Sequence, residues 1–303
     1  MSHSSSKNRR SAEYTQTPSP ERCFGIYARN STPQIDDAIM RTTALLRQAG
    51  IKVVDLPTVL SGAKVELLLT FGGDGSMLHA VRLMAPLGIP VLGINFGHVG
   101  YLCAIKENDI ESALQLVIGR QYTIEKRLML QGDVYHEGEL VWQARAFNEF
   151  HVGGCTRTVT LEISIDGHAF GRVRGDGVIV CTRTGSTAYA FSAGGPAMLI
   201  DAICLVASNA VFSSAIRSLI LPRESHIVIT NLTEPARPYV IADGQKDLLI
   251  SKNTQVHIGP SDCPALLVNL GLMSEVESLH RGFQELMIRE LENPPAGERC
   301  SIQ

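Results

Sequence analysis

Gly72-Gly73-Asp74-Gly75 sets one carboxylate among three glycines inside an otherwise apolar run, LLLTFGGDGSML, at 67–78. The residues before it suit a buried strand, and the apolar residues after it recur at helical spacing. Gly and Asp are ordinary turn residues, and a tight turn accounts for the tetrapeptide taken alone. A second reading is a phosphate cradle. Gly72, Gly73 and Gly75 let backbone N–H groups approach an anion, and the helix N-terminus that follows favours the same charge. Asp74 is then an anion where phosphates would sit, which is unfavourable unless it accepts a proton, binds a metal or orients a hydroxyl. The stretch is neither a Walker A loop nor GxGxxG, since it lacks Lys-Ser/Thr and the glycine spacing.

Other stretches carry similar chemistry. INFGHVGYL places Asn95, Gly97 and Gly100 beyond a strand at 90–95, where parallel α/β sheets bind ligands. RGDGVIVCTRTGSTAYAFSAGGP, at 174–196, puts Asp176-Gly177 before a short apolar strand and a hydroxyl-rich turn after it. Thr182, Thr184, Ser186, Thr187 and Ser192 suit a polar ligand, and Tyr189 suits packing on a base or a ribose. Asn148-Glu149 and Asp243-Gly244-Gln245 are two smaller polar pieces, each an ordinary loop when read singly.

Such residues need a scaffold to hold them. The chain has 303 residues, 45% of them hydrophobic, and a formal charge of −3, so it builds one large or two ordinary domains. That charge gives no reason to expect a nucleic acid or an anionic membrane as partner. Seven scattered cysteines without CxxC point to a reducing compartment. No apolar signal segment is visible, and the longest uncharged apolar stretch, 202–216, reads as core, so we expect a cytoplasmic protein. Residues 1–21, rich in Ser, Thr and Pro, read as a disordered tail. Over 22–121, strands at 24–28, 51–56, 66–71 and 90–95 alternate with amphipathic helices, the pattern of an α/β domain with a parallel sheet. Over 122–271 the period falls to two, with Asp166-Gly167 as a hairpin turn, which predicts an antiparallel all-β domain. Helical spacing returns in 272–303, a helix expected to dock back on the first domain.

In order and spacing, these pieces resemble the NAD kinase family over roughly 22–275: GGDG at 72–75, NxGxxGxL at 95–102, Asn148-Glu149, DG at 176–177, TxTGSTAYxxSAGGP from 182, and DGQ at 243–245. The resemblance implies a fold of the NAD kinase/diacylglycerol kinase type. It implies transfer of a phosphoryl group from ATP, or polyphosphate, to the 2′-hydroxyl of the adenosine ribose of NAD, with Mg²⁺ as the divalent cation. It also implies a homodimer or homotetramer whose dinucleotide site is completed across subunits. Residue by residue, Asp74 matches the proton acceptor. Asn148 and Glu149 match the pair on the ribose and adenine, and Asp176 and Arg174 the nicotinamide end. Thr187, Ala188, Tyr189 and Ser192 match the adenine turn, while Gly75, His79, Arg157 and Gln245 match further dinucleotide positions.

The chain departs from the family pattern twice. Arg183 stands where Pro is usual, which predicts a freer turn with an added cation. The stretch LVASNAVFSSAIRSLILP lacks the family's Pro-His segment, and its Val211, Phe212 and Ile216 read as a buried strand or a subunit contact. Two alternatives stand beside the kinase: a GGDG-type lipid kinase and an idle NAD-binding regulatory protein.

Overall fold

The computed structural model describes residues 21–96, 102–103, 105–154, 157–211, 216–272, 276–277 and 279–284. Gly97, Gly100, Phe212 and most of the N-terminal tail and of the C-terminal segment lie outside them.

The first sheet is built from strands buried on both faces. It contains β1 (Cys23–Ala28), β2 (Lys52–Asp55), β3 (Leu67–Gly72), β4 (Val91–Asn95) and β5 (Ile105–Lys106), all parallel to their neighbours. Every residue of β3 is buried because each face meets helices. Leu67, Leu69 and Phe71 pack with α1 (Pro33–Gln48) and α4 (Ile110–Ile118), while Leu68 packs with α2 (Leu56–Leu60) and α3 (Asp74–Met84). Local rules set the start of α1. Pro33 opens it, and the Thr32 hydroxyl caps the Ile35 N–H at 3.2 Å.

The sheet does not end where helical periodicity fades. β6 (Thr123–Arg127) and β19 (Ala265–Asn269) join it, in the order β2-β1-β3-β4-β19-β6, with β19 parallel to β4 and antiparallel to β6. The period-two reading groups both strands with the second half of the chain. A short apolar strand carries no local mark of which sheet it will enter.

Between β6 and β19 the chain forms two six-stranded antiparallel sheets packed face to face. One is ordered β11 (His168–Gly175), β10 (Val159–Ile165), β15 (Ile227–Asn231), β18 (Gln255–Pro260), β7 (Leu130–His136) and β8 (Glu139–Ala146). The other is β14 (Ser218–Pro222), β13 (Ala202–Ser208), β12 (Gly177–Thr182), β9 (Glu149–Gly153), β16 (Tyr239–Ala242) and β17 (Lys246–Leu249). Alternate residues of both fill the core between them, among them Val134, Phe150, Leu161, Val178 and Ile229. The outer face of β12, Ile179 and Cys181, is covered by Ala190 of α5 (Tyr189–Ser192) and by Met198. The expected hairpin joins β10 to β11: Asp166 and Gly167 both have positive φ, 49° and 80°, as a two-residue type I′ turn requires.

Residues 279–284 are helical, and the Phe283 ring lies 5.3 Å from that of Phe191. Leu279 and Arg281 line a cavity with Met77 and Leu92, so this stretch touches both halves of the molecule. Ile216 is buried and Val211 partly exposed. Among the described residues, no helix is long and apolar enough to cross a membrane.

Candidate active site

β3 delivers the chain to the glycine loop in a conformation that needs glycine. Gly72 has φ 145°, and a Cβ there would fall 2.4 Å from the Ser76 hydroxyl. Gly73 then caps α3 with no side-chain acceptor, and a helix start of this kind favours an anion. A Cβ on Gly73 or Gly75 would meet nothing within 4 Å among the described residues. Asp74 is the first residue of α3 and half-buried, and its Oδ1 accepts the Leu102 N–H at 3.3 Å. The neighbouring β4 ends alongside at Asn95, in register with Gly72. One carboxylate therefore stands at a helix N-terminus that no side chain caps.

The Asn148-Glu149 pair is held by Asp243. The buried Asp243 carboxylate accepts the backbone N–H of Phe147 (2.9 Å), Asn148 (2.8 Å) and Glu149 (3.2 Å). Glu149 O accepts the Asp243 N–H in return. Burial pushes the Asp243 carboxyl above the usual carboxylate range, against the pull of those three donors and of Arg82. Arg82, two turns along α3 from Asp74, lies 3.9 Å from Asp243 and donates to Gln245 Oε1 at 2.6 Å. The DGQ segment thus fastens the pair to the helix that carries Asp74. Burial, then the Asp243 charge, raises the Glu149 carboxyl to about 8, so it is protonated at neutral pH and can donate. Asn148 Oδ1 and Glu149 Oε2 are buried and have no hydrogen-bond partner among the described residues.

The hydroxyl-rich turn is sewn to the same segment. Thr182 donates its N–H to Asn148 O and its hydroxyl to Phe147 O (2.7 Å), and its Oγ1 accepts the Gly185 N–H at 3.1 Å. Gly185 passes so close that a Cβ would lie 2.1 Å from Asn148 O. Thr184 and Thr187 line a cavity of about 150 Å³ together with Leu102, the residue that holds Asp74. Ala188 begins the bend into α5, and Tyr189 leaves 44% of its surface exposed. The Tyr189 ring meets buried His151 edge-on at 5.2 Å. Burial drives the His151 imidazole down to about 4, opposed by Asp176, and its Nε2 has no partner among the described residues. Asp176 is itself oriented by Asn209 Nδ2 at 2.7 Å.

Asn148, Glu149 and Gln245 are thus tied through Asp243 and Arg82 to α3, and Thr187 shares a cavity with Leu102, the residue that binds Asp74, while Tyr189 and Asp176 both act on His151. Arg157, Arg174 and Ser192 are exposed, and their side chains make no hydrogen bond among the described residues. His79 lies one turn before Arg82 on α3, 5.6 Å from the Tyr27 ring, in a cleft with Arg82 and Arg145. Sequence patterns mark Asp243 without its clamping part, and do not single out Arg82 or His151. For Asp243 the DGQ motif is a pointer, whereas nothing local marks the other two. The expectation of a freer turn at Arg183 is corrected. Arg183 donates to Glu125 Oε1 on β6 at 2.9 Å, and this ion pair holds the turn to the first sheet.

Mg²⁺ usually takes one or two carboxylates together with substrate phosphates and water. Among the described residues no group of three or more His, Cys, Asp or Glu side chains could hold a metal by itself. The Asp74 carboxylate at the glycine loop fits the first mode.

Two family models match the chain: the ATP-NAD kinase N-terminal domain over residues 24–122, and the ATP-NAD kinase C-terminal domain over 149–270. The NAD kinase of Pseudomonas putida (strain W619) is 35% identical over 257 residues, covering 78% of this chain and 79% of its own. That of Symbiobacterium thermophilum is 35% identical over 210 residues, 68% and 74% of the two chains. Among solved structures, yeast NADH kinase complexed with NADH superposes with a TM-score of 0.75 at 24% identity, covering 94% of this chain and 90% of its own. An NAD kinase from Archaeoglobus fulgidus in complex with ATP gives 0.67 at 23%, covering 88% and 98%. The glycine loop, the pinned Asn-Glu pair and the hydroxyl-rich turn thus occur in a chain that belongs to the ATP-NAD kinase family.

Proposed function

We propose that this chain transfers the terminal phosphoryl group of ATP to the 2′-hydroxyl of the adenosine ribose of NAD, giving NADP. One observation carries the reading: Asp74 stands at an open glycine loop on the helix to which Arg82 and Asp243 fasten the Asn148-Glu149 pair. A ribose hydroxyl is a poor nucleophile, and Asp74 takes or orients its proton as the phosphorus bond forms. The backbone of the loop Gly72, Gly73 and Gly75 holds the donor phosphates. Asn148 and protonated Glu149 offer acceptors and a donor to the ribose and adenine. Thr187, Ala188, Tyr189 and Ser192 flank the adenine, and Asp176 and Arg174 the nicotinamide end. Asp74 would help to hold Mg²⁺ at the glycine loop, and the cation would supply neutralisation of phosphate charge.

Residues 22–121 then serve the donor side, and 122–271 bind the dinucleotide. The assembly is a homodimer or homotetramer, and the site of action is the cytoplasm. The purified protein should form NADP from NAD, ATP and Mg²⁺, read by an NADP-specific dehydrogenase. Binding of NAD without any NADP would leave a regulatory protein, and phosphorylation of diacylglycerol instead would leave a lipid kinase.

A further inference from the structure

His151 has no task in the proposed reaction, yet it lies in the middle of the row that holds the polar residues of β9. Phe150 and Val152 on either side of it face the sandwich core, so its own side chain is on the outer face with Glu149. Its register partners on that face are Ile179 of β12 and Ile241 of β16, and only 7% of its surface is exposed. Around its Nε2 the strands carry no side chains, because Gly153 and Gly177 are paired there. A Cβ would fall 2.8 Å from Nε2 at Gly153 and 2.6 Å at Gly177. The two glycines thus leave a slot that the imidazole fills. Asp176 precedes Gly177, and its carbonyl accepts the Gly154 N–H at 3.1 Å, which ties it to the same strand end.

Stability does not explain an imidazole in this slot. Its Nε2 has no hydrogen-bond partner among the described residues, and an unpaired polar atom in a core is a cost that an aliphatic side chain avoids. What an imidazole adds over an aliphatic group is a flat ring. The Tyr189 ring stands against it at 5.2 Å and 78°, the edge-to-face arrangement that aromatic pairs favour. Tyr189 is 44% exposed and its hydroxyl makes no hydrogen bond among the described residues, so packing sets where its ring lies. Burial drives the imidazole down to about 4, opposed by Asp176, so it is neutral at pH 7 and brings no cation to the Asp176 end.

We infer that His151 is a positioning residue for the dinucleotide, a post that fixes the Tyr189 ring relative to Asp176 and Gly177. It acts through Tyr189 and touches no substrate atom itself. This part for His151 rests on the proposed function, in which Tyr189 and Asp176 flank the bound NAD. Asp74 and the glycine loop belong to another sheet, so His151 bears on how tightly NAD is gripped and not on the transfer step.

The test is steady-state kinetics of His151→Leu and His151→Gln in the full chain, read as KM for NAD against kcat, with Tm alongside. Either change removes the ring contact, and KM for NAD should rise roughly three- to tenfold, the scale of one aromatic pair. The kcat should stay within about twofold, because uniform binding is lost and the transfer step is not. His151→Leu also removes the unpaired nitrogen, so its Tm should be no lower than that of wild type. His151→Gln keeps a polar end and carries the test should leucine fail to fold. A double-mutant cycle with Tyr189→Leu reads whether the effect passes through that ring: in that background, replacing His151 should raise KM no further. Wild-type KM in both single variants, beside a wild type that forms NADP, would overturn the part given to His151 and leave the proposed function standing. So would additive effects in the cycle, or a fall in kcat and Tm with KM unchanged. A wild type that forms no NADP would overturn the proposed function itself, and this part with it.

Discussion

In the proposed function Asp74 and Glu149 are two carboxyl groups with opposite tasks. Asp74 begins a helix at the glycine loop. Asp74→Asn keeps the shape and the glycines, and should lower turnover roughly a hundredfold or more, the scale of a lost general base, with NAD binding little changed. Steady-state kinetics beside calorimetry would check both. Glu149 is buried, and its carboxyl is raised from 4.5 to about 8. A carboxyl raised on folding stays protonated in the native state over a range where the unfolded chain has released its proton. Stability is therefore lost as pH rises from the unfolded value through the folded one. Glu149→Gln removes that dependence. In the ligand-free protein, its Tm relative to wild type should climb between pH 4.5 and 8 and level off above. A difference constant with pH would mean that Glu149 is ionised in the fold.

At the level of elements, Asp243 acts as a clamp between a strand entry and a helix. Removing its carboxylate by Asp243→Ala orphans three backbone donors, with those of Phe147 and Glu149 at buried residues, and should cost about 3 kcal/mol or more. Denaturant unfolding would measure the loss, and NAD affinity should fall with it because Asn148 and Glu149 lose their register. This clamp was not legible in the sequence. A carboxylate that caps N–H groups some ninety-five residues away leaves no local pattern, whereas Gly72 and Gly185 are marked by the residue type that the backbone geometry demands. The same contrast holds for strands. β1 to β4 show themselves through apolar runs between amphipathic helices, and the β10–β11 hairpin through Asp166-Gly167. β6 and β19 do not, since a five-residue strand reads alike whichever sheet it joins.

At the scale of the molecule, the stretch that follows the hydroxyl-rich turn leaves Phe191, Leu199 and Ile200 exposed at 39%, 46% and 60%. Exposed apolar groups clustered this way suit a contact between copies, as the proposed homo-oligomer requires. Ile200→Asp should then lower the mass seen by light scattering and make turnover per chain fall on dilution, while Tm in the monomeric range stays near that of wild type. An assembly of unchanged mass would place the contact elsewhere. The segment holding Phe212 makes the same prediction from sequence alone, with Phe212→Asp as its variant.

The placement of β19 also bears on how the protein is born. Val91 of β4 has Leu267 as its partner on that side, and all of β6 pairs with β19. A chain emerging from the ribosome presents the helices and strands of its first 121 residues early. Yet the Val91 end of β4, beyond the part that β5 covers, and β6 with it, must wait until residue 269 has been made. An uncovered strand edge is a template for stray pairing, and domains ordinarily fold in the order they are synthesised. The antiparallel sandwich is thus completed as an insertion while its host sheet is unfinished, and a transcript cut short before β19 yields a product with both a ligand loop and an adhesive edge.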